Sequence, residues 1–380
     1  MEKTDSGRGW VQSAVSDYDI SSVSVSRYFS ATNSARRLRA VDQVADDLVA
    51  KAALSCCAGD DIFAEHEELD HFAIYSTDGH AICASSHESE IFGKKRAPSH
   101  IYSLNLRNRS LSHLALCQPQ TGKKKEHELA TLKRIDANAL RMGEPKGTKV
   151  IHAYDPAIVD YKQWSRWKQT KGIYIITLEK ANSALVSREQ REWDRSDSRN
   201  NGVISDEVVG SYGGDVMRRV TYCDPVTGKT YRFLTTEMTL PPGLIAFIYK
   251  LRWDIEKVYD HIKNDLGESK AWTKSESGKI QQALFITIAY NLCVIFERLL
   301  KSQEGITNEK SLRRARQRLD KQMAKAKASG KAFNSLVSGC LRVTKRSLQF
   351  LRWLRSCLRQ RSSWSDSIET LRPLMTKYIT

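Results

Sequence analysis

The order of the β-prone runs limits what this chain can fold into more than any other feature. Residues 71–84 read as a long, largely apolar strand, and Ile101 to Leu106 and Ser112 to Cys117 read as two more. Glu126 to Met142 has helical spacing, Lys149 to Tyr154 is a short strand, Ile158 to Gln169 a second helix, and Ile173 to Leu178 another buried strand. Strands alternating with helices in this way predict an α/β sheet with helices on its faces. Two of the strands carry an acid. Asp78 stands inside the first, where a buried carboxylate needs a cation or hydrogen bonds to satisfy it; Asp70, at the strand's start, is the runner-up. Asp155 ends the fourth strand, where open α/β sheets place their ligands. An Asp there also suits a turn or a helix cap, and Asp160, five residues on, is the fallback.

A later helix adds a third acid. No Gly or Pro interrupts the chain between Leu244 and Leu266, and Leu244, Ile248, Leu251, Ile255, Val258, Ile262 and Leu266 form an apolar stripe. At about 100° per residue, Tyr249, Arg252, Glu256 and Lys263 fall within roughly 60° of one another beside it. A carboxylate can hold a divalent cation, and Arg, Lys and Tyr can hold phosphate oxygens. A surface helix whose Glu256 pairs with Arg252 and Lys257 has the same pattern.

The spacing Tyr249-x2-Arg252-x3-Glu256-x6-Lys263, followed by Leu266-Gly267, resembles the signature of DDE transposases of the insertion-sequence 4 group. Asp78-Gly79-His80 in a strand resembles the first acidic motif of that group. The strand and helix order is that of the RNase H-like fold, in which the first and fourth strands are neighbours, so Asp78 and Asp155 are expected side by side. Between Ala184 and Leu240, short β-prone runs separated by Gly and Pro look like the β-rich insertion that such transposases carry before the Glu-bearing helix. Trp193, inside it, is a candidate for stacking on a base drawn out of the duplex. The likeness covers about residues 71–300. One departure is Pro156, where relatives often have Arg after the second acid.

The resemblance implies an α/β, RNase H-like catalytic core at 71–183 and 241–300, with the insertion at 184–240. A helical and partly disordered region at 1–70 and a basic helical region at 301–380 flank it. It implies a transposase with Asp78, Asp155 and Glu256 as catalytic and metal-binding residues. Three converging carboxylates repel one another when empty and favour hard divalent cations, Mg²⁺ or Mn²⁺, two ions per active site. Tyr249, Arg252 and Lys263 would hold DNA phosphates. The partner is double-stranded DNA, at element ends and target, with a dimer assembled on the ends; the setting is the bacterial cytoplasm, associated with the nucleoid. The rivals are a metal-dependent nuclease of the same fold, an inactive transposase-derived DNA-binding protein, and a basic RNA-binding protein.

Charge agrees with a polyanionic partner. The 380 residues carry a net +16, and residues 301–380 hold 19 Lys or Arg against five Asp or Glu, a net +14. Arg313 to Lys331 reads as a basic helix, and Leu336 to Leu358 as a last amphipathic one with Arg342, Lys345, Arg346, Arg352 and Arg355. Gly278 to Leu300 is an apolar helix, but no run approaches 18 apolar residues, so no membrane span is expected. The eight Cys are scattered without a Cys-x-x-Cys pair, which predicts reduced thiols. Residues 1–33 are polar and Ser-rich and predict poor order, and Ser34 to Cys56 predicts a helix.

Overall fold

The computed structural model describes residues 24–57, 59–91, 93–118, 126–224, 227–307, 309–330, 334, 336 and 348–379. Its centre is a nine-stranded mixed sheet. In chain order the strands are β1 (Phe72–Ala81), a small hairpin of β2 (Glu90–Ile91) and β3 (Lys94–Lys95), then β4 (Ser99–Asn105), β5 (Leu111–Leu116), β6 (Lys149–Ala153), β7 (Ile173–Leu178), β8 (Val186–Gln190), β9 (Val203–Gly210), β10 (Val216–Cys223) and β11 (Thr230–Thr235). Leaving the hairpin aside, they lie in the order β5-β4-β1-β6-β7-β11-β10-β9-β8. β1, β6 and β7 are parallel, and β4 and β11, which flank that trio, run antiparallel to it. The first and fourth long strands, β1 and β6, are therefore neighbours.

Strand alternation sends the side chains of β1 into two cores. Phe72 and Ile74 join one cluster, with residues from the helices of the second half of the chain. Ala73 and Tyr75 join the other, with Leu132, Trp164 and Trp167. The helices on the two faces are α1 (Val25–Thr32), α2 (Ala35–Leu54), α3 (Glu128–Arg134), α4 (Tyr161–Lys171), α5 (Pro242–Leu251), α6 (Trp253–Asp260) and α7 (Glu276–Glu304). α8 (Glu309–Ala328), α9 (Leu348–Gln360) and α10 (Trp364–Ile379) follow. Phe350, Trp353, Ile368 and Leu371 of the last two pack with Cys293 and Leu300 of α7.

Several expectations need correction. Part of 1–33 is ordered: α1 is capped by Ser24, whose hydroxyl accepts from the Arg27 N–H; residues 1–23 lie outside the described residues. The helix expected over Glu126 to Met142 stops at Arg134 because Ile135 turns to extended backbone, and a 3₁₀ turn at Ala139–Arg141 follows. The strands of the 184–240 stretch continue the main sheet, through the antiparallel pairing of β11 with β7. Its first strand, β8, is exposed at every residue and carries no apolar alternation to betray it. The runs at Val203-Ile204 and Val208-Val209 are one strand, β9. Of the helix expected over Leu336 to Leu358, residues 337–347, with Arg342, Lys345 and Arg346, lie outside the described residues, and α10 was not anticipated.

α7 is long and apolar enough, by length and composition only, to cross a membrane, a test that a buried core helix also passes. It packs instead against β5 and α2. The Asn291 amide clasps the backbone of Leu111, accepting from its N–H and donating to its carbonyl, both at 2.9 Å. Gln281, Gln282 and Thr287 are buried along the same helix.

The chain entering α5 is held by a charged network from the outer strands. Arg218 of β10 donates to both Asp206 oxygens, at 2.8 and 2.7 Å, and to the Leu240 carbonyl at 2.7 Å. Glu237 accepts from the Leu240 N–H at 2.8 Å. Arg218 and Asp206 are each only 1% exposed. Removing one member of such a pair leaves an uncompensated buried charge, so Asp206→Ala is expected to destabilise the protein by about 3–5 kcal/mol in urea unfolding.

Candidate active site

β1 and the α5–α6 junction build the site together. Ser76 and Asp78, two residues apart on β1, face the same side. The Ser76 hydroxyl donates to the Arg252 carbonyl at 2.9 Å, and the Arg252 guanidinium donates to Asp78 Oδ2 at 3.1 Å. One strand thus grips both ends of one arginine. The grip also explains why the helix expected across Leu244 to Leu266 is broken. The Arg252 N–H bonds the Tyr249 carbonyl and the Ile255 N–H bonds the Arg252 carbonyl, both three-residue closures, so α5 ends at Leu251 and α6 starts at Trp253. A π-helical turn, His261–Asp265, then follows α6. Such turns inside α-helices are frequent at functional sites.

Glu256 lies on the first turn of α6, with its Oε1 3.8 Å from the same Arg252 Nη1 and its side chain 41% exposed. Lys257 pairs with Asp254 at 2.8 Å, so only the Arg252 half of the expected surface pairing forms. Tyr249 is buried, its ring 5.2 Å from that of Phe233, and the Arg252 guanidinium stands 5.7 Å from its ring centroid. Burial raises the Tyr249 hydroxyl to about 12 against the lowering effect of Arg252, with Asp155 and Asp78 adding to the rise. Lys263, on the π turn, is exposed, and its charge acts on His80.

Asp155 lies two residues past the end of β6. The register of β1 with β6 ends at Ser76 against Ala153, so continuing it by two residues on each side would bring Asp78 level with Asp155. The Asp155 carboxylate accepts from the Ala157 N–H at 2.6 Å and its carbonyl from the Ile158 N–H at 3.1 Å, so it also shapes the turn. It borders a cavity of about 410 Å³ whose wall includes Tyr249, Arg252, Trp253, Lys229 and Tyr231. The fallback acids serve elsewhere. Asp160 caps α4, accepting from the Gln163 N–H at 2.9 Å, and pairs with Lys133; Asp70 closes a 3₁₀ turn ahead of β1. Trp193 stacks against the Arg195 guanidinium, 4.8 Å from its ring centroid.

The structure thus brings Asp78, Arg252, Glu256 and Tyr249 together, with Asp155 beside them and Lys263 toward His80. Among the described residues, no three His, Cys, Asp or Glu side chains stand as a preformed metal cage. Sequence reading missed two participants. Tyr259 donates to the Asp78 carbonyl at 2.8 Å and stacks on His80, with ring centroids 4.5 Å apart. Glu128, at the start of α3, lies against Gly79. Gly79 was the available signal, since a glycine inside a strand often marks a close approach.

Burial raises the Asp78 carboxyl to about 7, outweighing the Gly79 N–H and Arg252, while Glu256 and Glu128 push it further up. An acid whose folded pKa exceeds its unfolded one makes the folded state bind more protons in between. Stability of the cation-free protein should therefore fall as pH rises from 3.8 to about 7 through Asp78. NMR should find this carboxyl titrating near the top of that window, and Asp78→Asn should flatten the corresponding part of a stability–pH profile.

Residues 119–292 match the family model of the transposase DDE domain. The matched span holds Asp155, Tyr249, Arg252, Glu256 and Lys263, begins downstream of Asp78, and has a mixed α/β architecture that fits such a domain. Among curated proteins none matches. The match covers 174 of the 380 residues, a little under half, and makes this part of the chain similar to a transposase DDE domain.

Proposed function

We propose that the protein is a DNA transposase of the insertion-sequence 4 group, with an RNase H-like core and Asp78, Asp155 and Glu256 as its catalytic acids. The observation that carries this reading is the meeting of Asp78 and Glu256 around Arg252, although they are 178 positions apart in the chain. Asp155 lies two residues past the end of β6, where continuing the β1–β6 register would set it level with Asp78. Structural ion pairs alone do not call for two acids from distant elements on one arginine, with a third acid bordering the cavity that this arginine also lines.

The side chains fit a divalent cation. Their donors are hard carboxylate oxygens, which suit Mg²⁺ or Mn²⁺. Asp78 and Glu256 converge on a single cation, Arg252 Nη1, at 3.1 and 3.8 Å. Asp78, Asp155 and Glu256 would hold the ions, two per site, and a pair so held would activate the attacking oxygen and stabilise the leaving oxygen.

The chain's own residues supply the rest. Arg252 can turn from the carboxylates to a DNA phosphate, a charge-assisted bond for which its planar fork is suited. Tyr249 offers a hydroxyl beside it, and Lys263 a flexible ammonium further along the helix. In the first step a water oxygen bonds to phosphorus and the bond to the 3′ oxygen breaks, freeing a 3′-hydroxyl at the element's end. In the second that hydroxyl attacks a phosphodiester of target DNA, displacing a new 3′-hydroxyl. α8 and α9 carry part of the basic surface of 301–380, which would follow the DNA backbone in a dimer assembled on two ends. The joined product separates this reading from a nuclease of the same fold.

Asp78→Ala, Asp155→Ala and Glu256→Ala are each expected to abolish Mn²⁺-dependent cleavage and joining of element-end DNA while leaving end binding within a few-fold. Full activity in any one variant removes that residue from the assignment. Arg252→Gln should weaken end binding in a gel-shift titration and, by removing a competing cation from Asp78, tighten Mn²⁺ binding to the DNA-free protein. Unchanged or weaker Mn²⁺ binding would show that Arg252 does not compete for the carboxylates.

A further inference from the structure

The α5–α6 segment is fastened to β1 on both sides of Glu256. Ahead of it, the Ser76 hydroxyl donates to the Arg252 carbonyl at 2.9 Å, and the Arg252 guanidinium reaches the Asp78 carboxylate at 3.1 Å. Beyond it, about one turn along α6, the Tyr259 hydroxyl donates to the Asp78 main-chain carbonyl at 2.8 Å. Glu256 therefore sits between two points at which its helix is tied to one strand, and the second tie is to the residue that bears the first acid. Beyond Ser76, β1 is no longer paired with β6, so contacts with α6 take a larger share in holding Asp78.

The phenol that makes this tie is itself fixed. Tyr259 is only 5% exposed. Its ring stacks on His80, with centroids 4.5 Å and planes 22° apart, and stands 6.0 Å from the ring of Tyr102, which lies opposite Asp78 on β4. Asp78 and His80 share a face of β1, so the ring packs beside the acid it steadies. A buried hydroxyl needs a hydrogen-bond partner, and here the partner is the backbone of Asp78. The bond leaves both carboxylate oxygens of Asp78 to other partners.

We propose that Tyr259 is a positioning residue, whose hydroxyl sets the spacing of Asp78 and Glu256 for a divalent cation. The inference rests on the reading of Asp78, Asp155 and Glu256 as that cation's site. Its weight falls where Arg252 lets go. While the arginine bridges the two carboxylates, one nitrogen holds them at 3.1 and 3.8 Å. Once it turns to a phosphate, the hydrogen bonds of Ser76 and Tyr259 still tie the α5–α6 segment to β1. The alternative is an aromatic that only packs the helix on the sheet. That role would shift the unfolding curve and leave cation affinity alone.

The test is calorimetric titration of the full-length, DNA-free protein with Mn²⁺, beside urea unfolding. Tyr259→Phe keeps the ring and its stack on His80 and removes only the donor. It should weaken Mn²⁺ binding by about tenfold or more, the range seen when a group supporting a metal ligand is lost. Placing p-aminophenylalanine at position 259 returns an N–H donor and should recover most of the lost affinity. Should Tyr259→Phe not fold, p-fluorophenylalanine, which fills the place of the hydroxyl without a donor, serves in the same comparison. A donor-free variant with unchanged Mn²⁺ affinity, while Asp78→Asn abolishes binding, overturns the role of Tyr259 alone, as does an affinity that p-aminophenylalanine fails to recover. Asp78→Asn that leaves Mn²⁺ binding intact overturns the reading of the site and this inference with it.

Discussion

A carboxylate set into a buried strand must meet a cation, and the pairing of Asp78 with Arg252 is the constraint around which the sheet and the signature helix are fitted together. An ion pair of this kind is weak as a source of stability, because desolvation offsets most of its attraction. Its consequence is positional. The two-residue period of β1 sets Ser76 against the Arg252 carbonyl and Asp78 against its guanidinium. Holding both ends of one residue fixes where α5 ends, how α6 departs, and hence where Glu256 points. The same contact brings the middle of the sheet and the α5–α6 junction to one point across 174 positions of sequence.

The outer strands serve that point as well. β11 continues the sheet from β7, and the Arg218–Asp206 pair behind it holds the Leu240 carbonyl just ahead of α5. Gly243 then lets the helix start close to its neighbour: a Cβ there would sit 1.9 Å from the Arg199 carbonyl oxygen, while the Gly243 N–H donates to Asn200 at 2.9 Å. The β-rich stretch therefore braces α5, the helix whose end at Arg252 sets off α6 and Glu256. Tyr222, Tyr231 and Phe233, from β10 and β11, line the cavity that Asp155 and Arg252 also border.

How much of this was legible follows from how local each cause is. The five long strands from Phe72 to Leu178 are apolar runs bounded by breakers, so their order could be read directly and their limits to within about three residues, whereas the exposed β2–β3 hairpin could not be read. Asp78 and Asp155 stood out because acids at such places are costly or sheltered. β8 could not be read, since an exposed edge strand has no apolar alternation. Nor could the break at Arg252: its cause is a serine 176 residues upstream, whereas local periodicity predicted one continuous helix. Glu128 had the same difficulty, because helical spacing around it shows a first-turn acid and only the packing of α3 on β1 brings it to Gly79.

On the proposed reading, Arg252 has two partners that it cannot serve fully at once. Against Asp78 and Glu256 it supplies the positive charge that a divalent cation would otherwise supply, and against a DNA phosphate it leaves those carboxylates exposed to one another. Repulsion between the freed carboxylates then favours cation binding. DNA and cation would thus promote each other through the motion of one side chain. Linkage requires the effect to be equal in both directions: the factor by which end DNA tightens Mn²⁺ binding must equal the factor by which Mn²⁺ tightens DNA binding. Paired titrations read both factors. A cation-free site closed by its own arginine would then open only where a phosphate is present to receive it, confining the chemistry to bound DNA.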